Sequence, residues 1–359
     1  MVRAQVRVQM GGVAAAIEEF RESPTPNVIL LETKKCGMEL LRELDELADV
    51  CDVATQVLVI GHVNDVDISQ QLVRRGVSDY LLAPLSPRDV LRAVSLLFTA
   101  PNAAPLGRVI AVVGAKGGVG ASTAAHNIAW AAAHDLAIET VITDLDLAFG
   151  TASLDYNQDP PRDVSEAISA PAGIDALSIG RLMAKCTDRL NLLAAPGAID
   201  RTYDFAAETF DPVIDALRAK ARCAVLDVPH IWTAWSRHIL VGADDILIVA
   251  APDLASVRNT KILIETLHAA RPNDRRPRYC LNQVGVPNRP EIGPANFARA
   301  LESEPVSVIP FEPGLFGAAA HNGQMIAEIA AGHPVVETFR YLAQALAGGG
   351  ELNMERAAG

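Results

Sequence analysis

The sequence predicts an α/β fold in two parts, a small unit followed by a larger unit with a mostly parallel sheet. Short apolar runs alternate with stretches of helical periodicity along the chain, which is the pattern of strands joined by helices. Hydrophobic residues make up 50% of the chain but aromatic residues only 5%, as in sheets buried on both faces by Ala, Val and Leu. The length of 359 residues is enough for about two domains.

Residues 1–100 are predicted to form the small unit. Its predicted strands are Val28–Leu31, Val57–Ile60 and Tyr80–Leu82, and its predicted helices are Met38–Leu47, Val66–Arg74 and Pro87–Phe98. The last helix is expected to bury one face, formed by Val90, Leu91, Val94, Leu97 and Phe98. Residues 101–107 are rich in Pro and Ala and lack periodicity, so they are predicted to link this unit to the larger one at 108–359.

A glycine-rich loop opens the larger unit. The apolar run Val109–Val113 precedes it, and an Ala-rich helical stretch begins at Ser122. Glycines let the backbone turn tightly and approach a ligand, and a helix N-terminus attracts an anion. Strand, loop and helix in this order predict a phosphate-binding loop, although a glycine-rich turn that binds no ligand is the alternative. The predicted binding residues are Lys116, Gly117, Gly118, Val119, Gly120, Ala121, Ser122 and Thr123.

The loop lacks the lysine that usually precedes its serine or threonine, because Ala121 stands there. Lys116 stands instead at the front, directly before two glycines. This arrangement resembles the deviant Walker A loop of the ParA/MinD superfamily of dimeric P-loop ATPases. The resemblance implies ATP and Mg²⁺ as cofactors and a homodimer in which Lys116 reaches the phosphates of the nucleotide bound by the partner subunit.

Three aspartates follow predicted strands of the larger unit. Asp144 and Asp146 end the run that starts at Thr140, and their spacing of two is expected to place both on one side of the chain. Asp227 ends the apolar run from Arg222. The same resemblance implies that Asp146 orients the attacking water, that Asp144 supports the metal shell, and that Asp227 and Ser122 hold Mg²⁺, partly through water. The alternative is that Asp144 and Asp146 are solvated loop acids or helix caps.

Later strands carry the predicted adenine side of the site. Asn282 follows the strand that begins at Tyr279, and Pro310 and Phe311 follow the next one. By the family resemblance Asn282 hydrogen-bonds the adenine edge, and the backbone at Pro310 and Phe311 borders the base. The last predicted helix, Val335–Leu346, has an apolar face for the core.

The missing lysine sets the expected activity. It normally contacts the β- and γ-phosphates, where charge stabilisation dominates catalysis. Backbone donors and Mg²⁺ are sufficient for binding, so the sequence predicts ATP binding with slow or absent hydrolysis, at most a weak ATPase. Nucleotide would then act mainly to hold two subunits together.

The small unit resembles the receiver domain of response regulators at residues 76–85. True receivers have a lysine where Ala83 stands, and Glu32 occupies the position of the phosphoacceptor aspartate. Because phosphoryl transfer needs a metal and a cation at the developing phosphate, we predict a degenerate, flavodoxin-like receiver that is not phosphorylated and serves docking or dimerisation.

A degenerate receiver followed by a ParA/MinD-like domain resembles the CpaE/TadZ family. That resemblance implies a cytoplasmic scaffold that localises and assembles the Flp (tight adherence) type IV pilus machinery. It further implies a location at a cell pole and contact with the inner membrane through partners, namely pilus proteins or a polar landmark.

The acidic balance, 43 Asp plus Glu against 31 Lys plus Arg, argues against a ParA-type partition ATPase that coats DNA. A MinD-like positioning ATPase would end in a basic membrane helix, which the sequence does not show. No apolar run reaches transmembrane length. A metal-cluster reductase would need clustered cysteines, whereas the five here are scattered: Cys36, Cys51, Cys186, Cys223 and Cys280.

Three other sequence features have structural interpretations, and one of them also has a functional alternative. The basic run Arg271–Arg278 is either a solvated loop or a contact for anionic lipid or nucleic acid. His230 is expected to be a structural hydrogen-bonding residue. Trp232 and Trp235 are expected to pack together on one helix face.

Overall fold

The computed structural model describes residues 7–52, 55–63, 66–97, 106–170, 173–200, 202–272 and 274–348. The chain divides into two compact units, residues 1–103 and 104–359. Residues 101–105 of the predicted linker lie outside the described residues, as does Phe98 of the predicted helix.

The first unit has a parallel sheet of three strands in chain order. Its strands are β1 (Val28–Glu32), β2 (Gln56–Gly61) and β3 (Asp79–Leu82), and its helices are α1 (Gly12–Phe20), α2 (Gly37–Ala48), α3 (Val66–Arg74) and α4 (Pro87–Leu97). The leucines of α2 pack on β1 and on α1 to form the core of this unit. The three strands and three of the helices agree with the sequence prediction to within a residue or two, and α1 was not predicted.

The predicted apolar face of α4 is only partly buried. Leu91 is 55% exposed, whereas the small side chain of Ala93 is buried. The expectation that Leu91 is buried is therefore wrong. The buried side of α4 includes Ala93 and not Leu91.

The second unit contains an eight-stranded sheet in the order β11-β10-β9-β4-β8-β5-β7-β6. Only the pairing of β6 with β7 is antiparallel, so the predicted mostly parallel α/β fold is confirmed. The strands are β4 (Arg108–Gly114), β5 (Thr140–Asp144), β6 (Ala184–Lys185), β7 (Leu190–Leu193), β8 (Cys223–Val228), β9 (Asp245–Ala250), β10 (Arg278–Val284) and β11 (Ser307–Pro310).

Helices cover both faces of this sheet. They are α5 (Ala121–His134), α6 (Ala152–Asp155), α7 (Val164–Ile168), α8 (Ala176–Gly180), α9 (Asp211–Lys220), α10 (Ala234–Gly242), α11 (Leu254–Ala270), α12 (Pro294–Leu301), α13 (Pro313–Asn322), α14 (Ile326–Ile329) and α15 (Pro334–Ala347), with a 3₁₀ turn at Ala207–Phe210. Alternate residues of β4 enter the two cores: Val109 and Ala111 pack with α9 to α12, whereas Ile110 and Val112 pack with α5 and α15. The central strands are thereby buried on both sides.

The parallel register gathers polar groups at one edge of this sheet. Asp144 lies beside Asp227 in the pairing of β5 with β8, and Val113 of β4 lies beside Val228. Since β4 leads directly into the glycine loop, the loop and both aspartates emerge at the same carboxyl edge, where open α/β sheets bind ligands.

The two tryptophans near α10 and the basic run Arg271–Arg278 differ in burial from what the sequence predicts. Trp232 lies before α10, whose first turn is capped by Thr233, so Trp232 is 51% exposed while Trp235 is buried. The basic run is not simply solvated: Arg271 is 5% exposed and donates to the carbonyl of Ala243 at 2.7 Å. Arg278 likewise donates to the carbonyl of Ala345 at 2.6 Å.

Cys223 and Cys280 are buried free thiols, as expected. The five elements between residues 151 and 200 (α6, α7, α8, β6 and β7) were not predicted from the sequence. Among the helices of the described residues, none has the length and apolarity required to cross a membrane.

Candidate functional site

The glycine loop adopts a backbone that only glycine accommodates easily at two points. Gly118 and Gly120 have φ angles of +78° and +82°, in the left-handed region. A Cβ atom at Gly120 would also lie 2.4 Å from Asn282 Nδ2. At Gly117 and Gly118, by contrast, an added Cβ would meet no atom within 4 Å. The loop is therefore packed tightly at its helix end and open at its front, where a ligand can approach the backbone.

A cavity of about 260 Å³ lies over this loop. Four side chains with chemical roles in the prediction line it: Lys116, Ser122, Asp146 and Asp227. The lining is completed by Gly114, Gly117, Gly118, Val119, Gly120, Ala121, Val228, Pro229 and His230. Thr123, Asp144, Asn282, Pro310 and Phe311, also predicted as site residues, do not line it.

Four side chains hold the loop from outside by its carbonyl groups. His230 Nδ1 lies 3.0 Å from Gly114 O, and Asn259 Nδ2 donates to Ala115 O at 2.9 Å. Asn282 Nδ2 donates to Val119 O at 2.8 Å, and Gln283 Nε2 donates to Gly118 O at 3.0 Å. All four bonds use carbonyl groups of the loop and none uses an N–H group, which is the group that an anion binds.

These anchors show what sequence reasoning missed and what it found. Asn259 and Gln283 were not singled out, since nothing in their local sequence points to a loop more than 140 positions away. His230 is a structural hydrogen-bonding residue, as expected. The amide oxygen of Asn282 is hydrogen-bonded as well: its Oδ1 accepts from the N–H of Gln283 at 2.8 Å. Its contact with adenine stays a prediction.

Pro310 and Phe311 lie at the carboxyl end of β11, beside the end of β10. The N–H of Phe311 donates to Val284 O at 2.8 Å, which fixes this turn next to the strand that carries Asn282. The two predicted adenine-side segments are therefore neighbours in the fold.

Asp144 and Asp146 differ in burial, and their position on one side of the chain stays a prediction. Asp146 is half-buried on the cavity wall, and its burial raises the pKa of its carboxyl. Asp144 is 1% exposed, and its two oxygens accept from the N–H groups of Asp146 and Ala152, both at 3.0 Å. Burial and the nearby charge of Asp227 raise the pKa of Asp144 to about 7. A tight turn after β5 causes the difference, because it folds the chain back over the first carboxylate.

A buried histidine lies beside Asp144 and Asp227, and it was not predicted from the sequence. His126 lies on α5 four residues after Ser122 and is fully buried. Its Nδ1 is 2.7 Å from Asp155 Oδ2, and its Nε2 is 3.6 Å from Asp227 Oδ2. Burial alone lowers the pKa of this imidazole, but the interactions with Asp155 and Asp227 outweigh burial and raise it to about 10. Its helical spacing from Ser122 is the signal that could have revealed it.

Lys116, the front lysine, contacts an acid of its own chain. Its Nζ lies 3.1 Å from Asp253 Oδ2, and both side chains are about one third exposed. Asp253 also caps α11 by accepting from the N–H of Ser256 at 2.8 Å. Burial raises the pKa of Asp253, but these hydrogen bonds from Ser256 and Lys116 outweigh it and lower the pKa below its ordinary value.

Comparisons with known proteins agree with this architecture. The sequence matches no protein-family model. It is 31% identical over 166 residues to the septum site-determining protein MinD of Synechocystis, covering 46% of this chain and 60% of that protein. The chain thus spans less than two thirds of that relative's length.

Solved structures extend the comparison. A ParA family ATPase from Chlorobium tepidum superposes with a TM-score of 0.60 at 21% identity, covering 67% of this chain and 99% of that one. MinD of Pyrococcus horikoshii, complexed with Mg-ADP, gives a TM-score of 0.53 at 19% identity and covers 67% and 96%. A match to the pilus assembly protein CpaE of Caulobacter crescentus, 46% identical, covers only 24% of this chain and 66% of that one, and its TM-score of 0.24 supports no assignment.

The glycine loop, the parallel sheet and these superpositions agree on one architecture. The second unit of this chain has the fold of the ParA/MinD family of P-loop ATPases.

Proposed function

We propose that this protein binds ATP with Mg²⁺ and closes into a homodimer around the nucleotide. One observation carries the proposal: the glycine loop, Lys116, Ser122, Asp146 and Asp227 share one cavity. Typical small-molecule pockets have volumes of about 300–1,000 Å³, so the cavity of about 260 Å³ is small for a nucleotide site. A second subunit over its open front would complete it.

The chain's own residues fit nucleotide and Mg²⁺. The loop N–H groups and the N-terminus of α5 would bind the phosphates, since the loop carbonyls are held from outside. Ser122 and Asp227 on the cavity wall are oxygen ligands suited to Mg²⁺, with Asp144 behind Asp227. When bound, Mg²⁺ would neutralise phosphate charge. Asp146, on the same wall, would orient the attacking water.

Lys116 must change partners for the dimer to close. In the single chain it pairs with Asp253, and an ion pair this exposed is worth only about 0–1 kcal/mol. The phosphates of a nucleotide in the facing subunit carry more charge than one carboxylate. The pair with Asp253 would therefore hold the lysine at the mouth of the cavity until a partner arrives.

The proposed activity is slow because Ala121 cannot supply a cation to the β- and γ-phosphates. Losing one such electrostatic contact costs about 10²–10³ in rate in other enzymes. Slow turnover would give the closed dimer a long lifetime, which suits a scaffold better than a motor.

For the biological role, we propose a cytoplasmic scaffold that localises and assembles the Flp pilus machinery at a cell pole, attached to the inner membrane through partners. The sequence resemblance to the CpaE/TadZ family supports this role, through the KGGVGAST loop and the receiver-like first unit with Glu32 and Ala83. The second candidate is a positioning ATPase of the MinD type, which the 31% identity to MinD favours. Binding to anionic vesicles without any other protein would support the second candidate over the first.

The activity test restores the missing charge. Equilibrium dialysis with labelled ATP and Mg²⁺ should show one nucleotide per chain in the wild type, with slow phosphate release. Ala121→Lys should increase phosphate release by about 10²–10³-fold, while Ala121→Gln, of similar size but uncharged, should not. Failure of the wild type to bind ATP would refute the proposal, and rapid hydrolysis by the wild type would refute its slow-turnover part.

A further inference from the structure

Three side chains from three elements meet in the interior beside the cavity. His126 comes from α5, Asp144 from the end of β5 and Asp227 from β8, and we call them the His126 triad. Each is no more than 3% exposed. One ligand atom from each, a ring nitrogen or a carboxylate oxygen, lies within 4.8 Å of the other two. Two carboxylates this close repel each other in a buried setting, and a cation between them relieves the repulsion: the proton on His126 in the metal-free protein, or a metal ion that replaces it.

The orientation of His126 is set by a group outside the triad. Nδ1 lies 2.7 Å from Asp155 Oδ2, a distance at which the ring donates to the carboxylate. The other nitrogen, Nε2, is buried and has no hydrogen-bond partner. Its distance of 3.6 Å to Asp227 Oδ2 is too long for a hydrogen bond. A buried ring nitrogen that is aimed at two carboxylates without bonding either one is an unsatisfied ligand position.

The Asp144 carboxylate and the helix that carries His126 are also held in place. Asp144 accepts from the backbone N–H groups of Asp146 and Ala152. Gly150 leaves room for it, since a Cβ there would lie 2.4 Å from Asp144 Oδ2. The Tyr156 hydroxyl donates to His126 O at 2.7 Å and supports the helix beneath the imidazole. The set therefore has the outer contacts that orient metal ligands in proteins.

We propose that the His126 triad binds one divalent first-row transition ion through His126 Nε2 and one oxygen each of Asp144 and Asp227. Ligands about 2.0–2.2 Å from such an ion lie about 3.4 Å apart in a tetrahedral arrangement, close to the 3.6 Å found here between Nε2 and Oδ2. The pairing of Asp155 with Nδ1 reproduces the carboxylate–histidine–metal arrangement. Imidazole favours ions such as Mn²⁺, Co²⁺ or Zn²⁺ over Mg²⁺, which prefers oxygen and water.

This site shares Asp227 and Asp144 with the Mg²⁺ site proposed above, but it needs no nucleotide. Mg²⁺ that arrives with ATP needs phosphate oxygens, water and Ser122, whereas the triad offers three protein ligands without any of them. The inference can therefore fail while ATP binding stands, and it can hold in a protein that binds no ATP.

Mn²⁺ added to the full-length, EDTA-treated, nucleotide-free protein tests the inference. Electron paramagnetic resonance of the titration should show one tightly bound Mn²⁺ per chain. Pulsed measurements on that sample should show magnetic coupling to one ¹⁴N nucleus, which only a directly bonded histidine nitrogen provides here. A wild-type protein that binds no Mn²⁺, or binds it without ¹⁴N coupling, would overturn the proposal whatever the variants do.

Variants assign the ligand. His126→Gln should abolish the ¹⁴N coupling and weaken Mn²⁺ binding at least tenfold. Asp155→Asn should keep the coupling but weaken binding about 10–100-fold, as loss of an outer contact does. His321→Gln, at an exposed histidine of α13, is the matched control and should change neither. Coupling that survives in His126→Gln would contradict the assignment.

Discussion

Each of the two units places an acid and a histidine near the carboxyl end of its sheet, yet the pairs differ in burial. In the first unit Glu32 ends β1, and His62 Nε2 lies 3.0 Å from its carboxylate, with the two side chains 65% and 37% exposed. In the second unit Asp227 lies 3.6 Å from His126, with side chains 5% and 0% exposed. The shorter contact is the weaker one, because water screens it. An acid and a histidine thus interact strongly only where the fold excludes water.

The two pairs differ in burial because the strands that carry their acids are covered to different extents. Strand β8 is covered on both faces, and α5 brings its histidine down onto the strand end from one side. His62 instead follows β2 directly and stays at the surface with Glu32. A functional centre is therefore proposed for the second unit.

The largest contrast is expected on removing each acid. Asp227→Asn removes one of the two carboxylates that flank His126 in the interior, Asp155 being the other, and should lower the free energy of unfolding of the second unit by about 1.5–3 kcal/mol. Glu32→Gln should change the first unit by no more than about 0.5 kcal/mol. All three tryptophans, Trp130, Trp232 and Trp235, lie in the second unit, so tryptophan fluorescence during urea unfolding reports on it alone. Circular dichroism reports on both units, so the part of its urea transition that the fluorescence does not account for belongs to the first unit. Equal effects would remove the contrast between the two pairs.

The second contrast concerns pH. The pKa of His126 is raised from 6.5 to about 10, so its stabilising contribution is fully present below about pH 6.5 and is lost as pH rises through 10. The raised pKa of Asp144 acts in the same direction but at lower pH, since its contribution is lost as pH rises from 3.8 through about 7. In EDTA, the unfolding free energy of the second unit should fall between pH 6.5 and 10, by up to about 1.4 kcal/mol per pH unit.

Histidine variants isolate this effect. His126→Asn should flatten the dependence between pH 8 and 10, whereas His62→Asn should leave it unchanged. A wild-type stability that stays constant or rises over this range would show that the buried imidazole is not cationic in the metal-free protein.

Packing within the glycine loop offers a smaller contrast of the same kind. Gly120→Ala introduces a Cβ 2.4 Å from Asn282 Nδ2 at a residue with φ +82°, so it should destabilise the second unit by about 1–3 kcal/mol and weaken ATP binding. Gly117→Ala meets open space and should leave stability within about 0.5 kcal/mol. If phosphate approaches the loop there, Gly117→Ala should still weaken ATP binding in equilibrium dialysis. If both variants bind ATP normally, the nucleotide does not bind at the glycine loop.

The smallest effect is expected for the partly exposed Lys116–Asp253 pair. Asp253→Asn should change the unfolding free energy of the second unit by less than about 1 kcal/mol. A larger loss would show that the charge of this acid has a structural role beyond its contact with Lys116, since Asn can keep the N-cap of α11.

Strong local signals explain the parts of the fold that the sequence predicts. Fully apolar runs such as 109–113 and 246–250 predict buried strands because burial on both faces favours apolar residues. The glycine loop could be predicted from the sequence because only glycine fits its positive φ angles easily. The short elements between residues 151 and 200 were missed, because helices and strands of two to five residues have no periodicity to read.

The site was predictable in outline but not in its buried partners. Parallel register places Asp144 beside Asp227, as the order of strands suggests. His126 lies in an Ala-rich helix, and its role depends on Asp155, which a helix of four residues positions 29 places later. Arg271 similarly reads as a solvated loop residue because the carbonyl it binds belongs to Ala243. Contacts of this kind are set by tertiary packing, which local sequence does not encode.

Sedimentation velocity with and without ATP–Mg²⁺ tests the central claim, a nucleotide-dependent clamp between two copies of the chain, most directly. The wild type should shift from monomer to dimer with ATP, and Lys116→Ala should stay monomeric while still binding nucleotide. Lys261→Ala, which removes the same charge from an exposed position of α11 outside the cavity, should dimerise normally. A Lys116→Ala protein that dimerises like the wild type, or a wild type that stays monomeric at saturating ATP–Mg²⁺, would contradict the account.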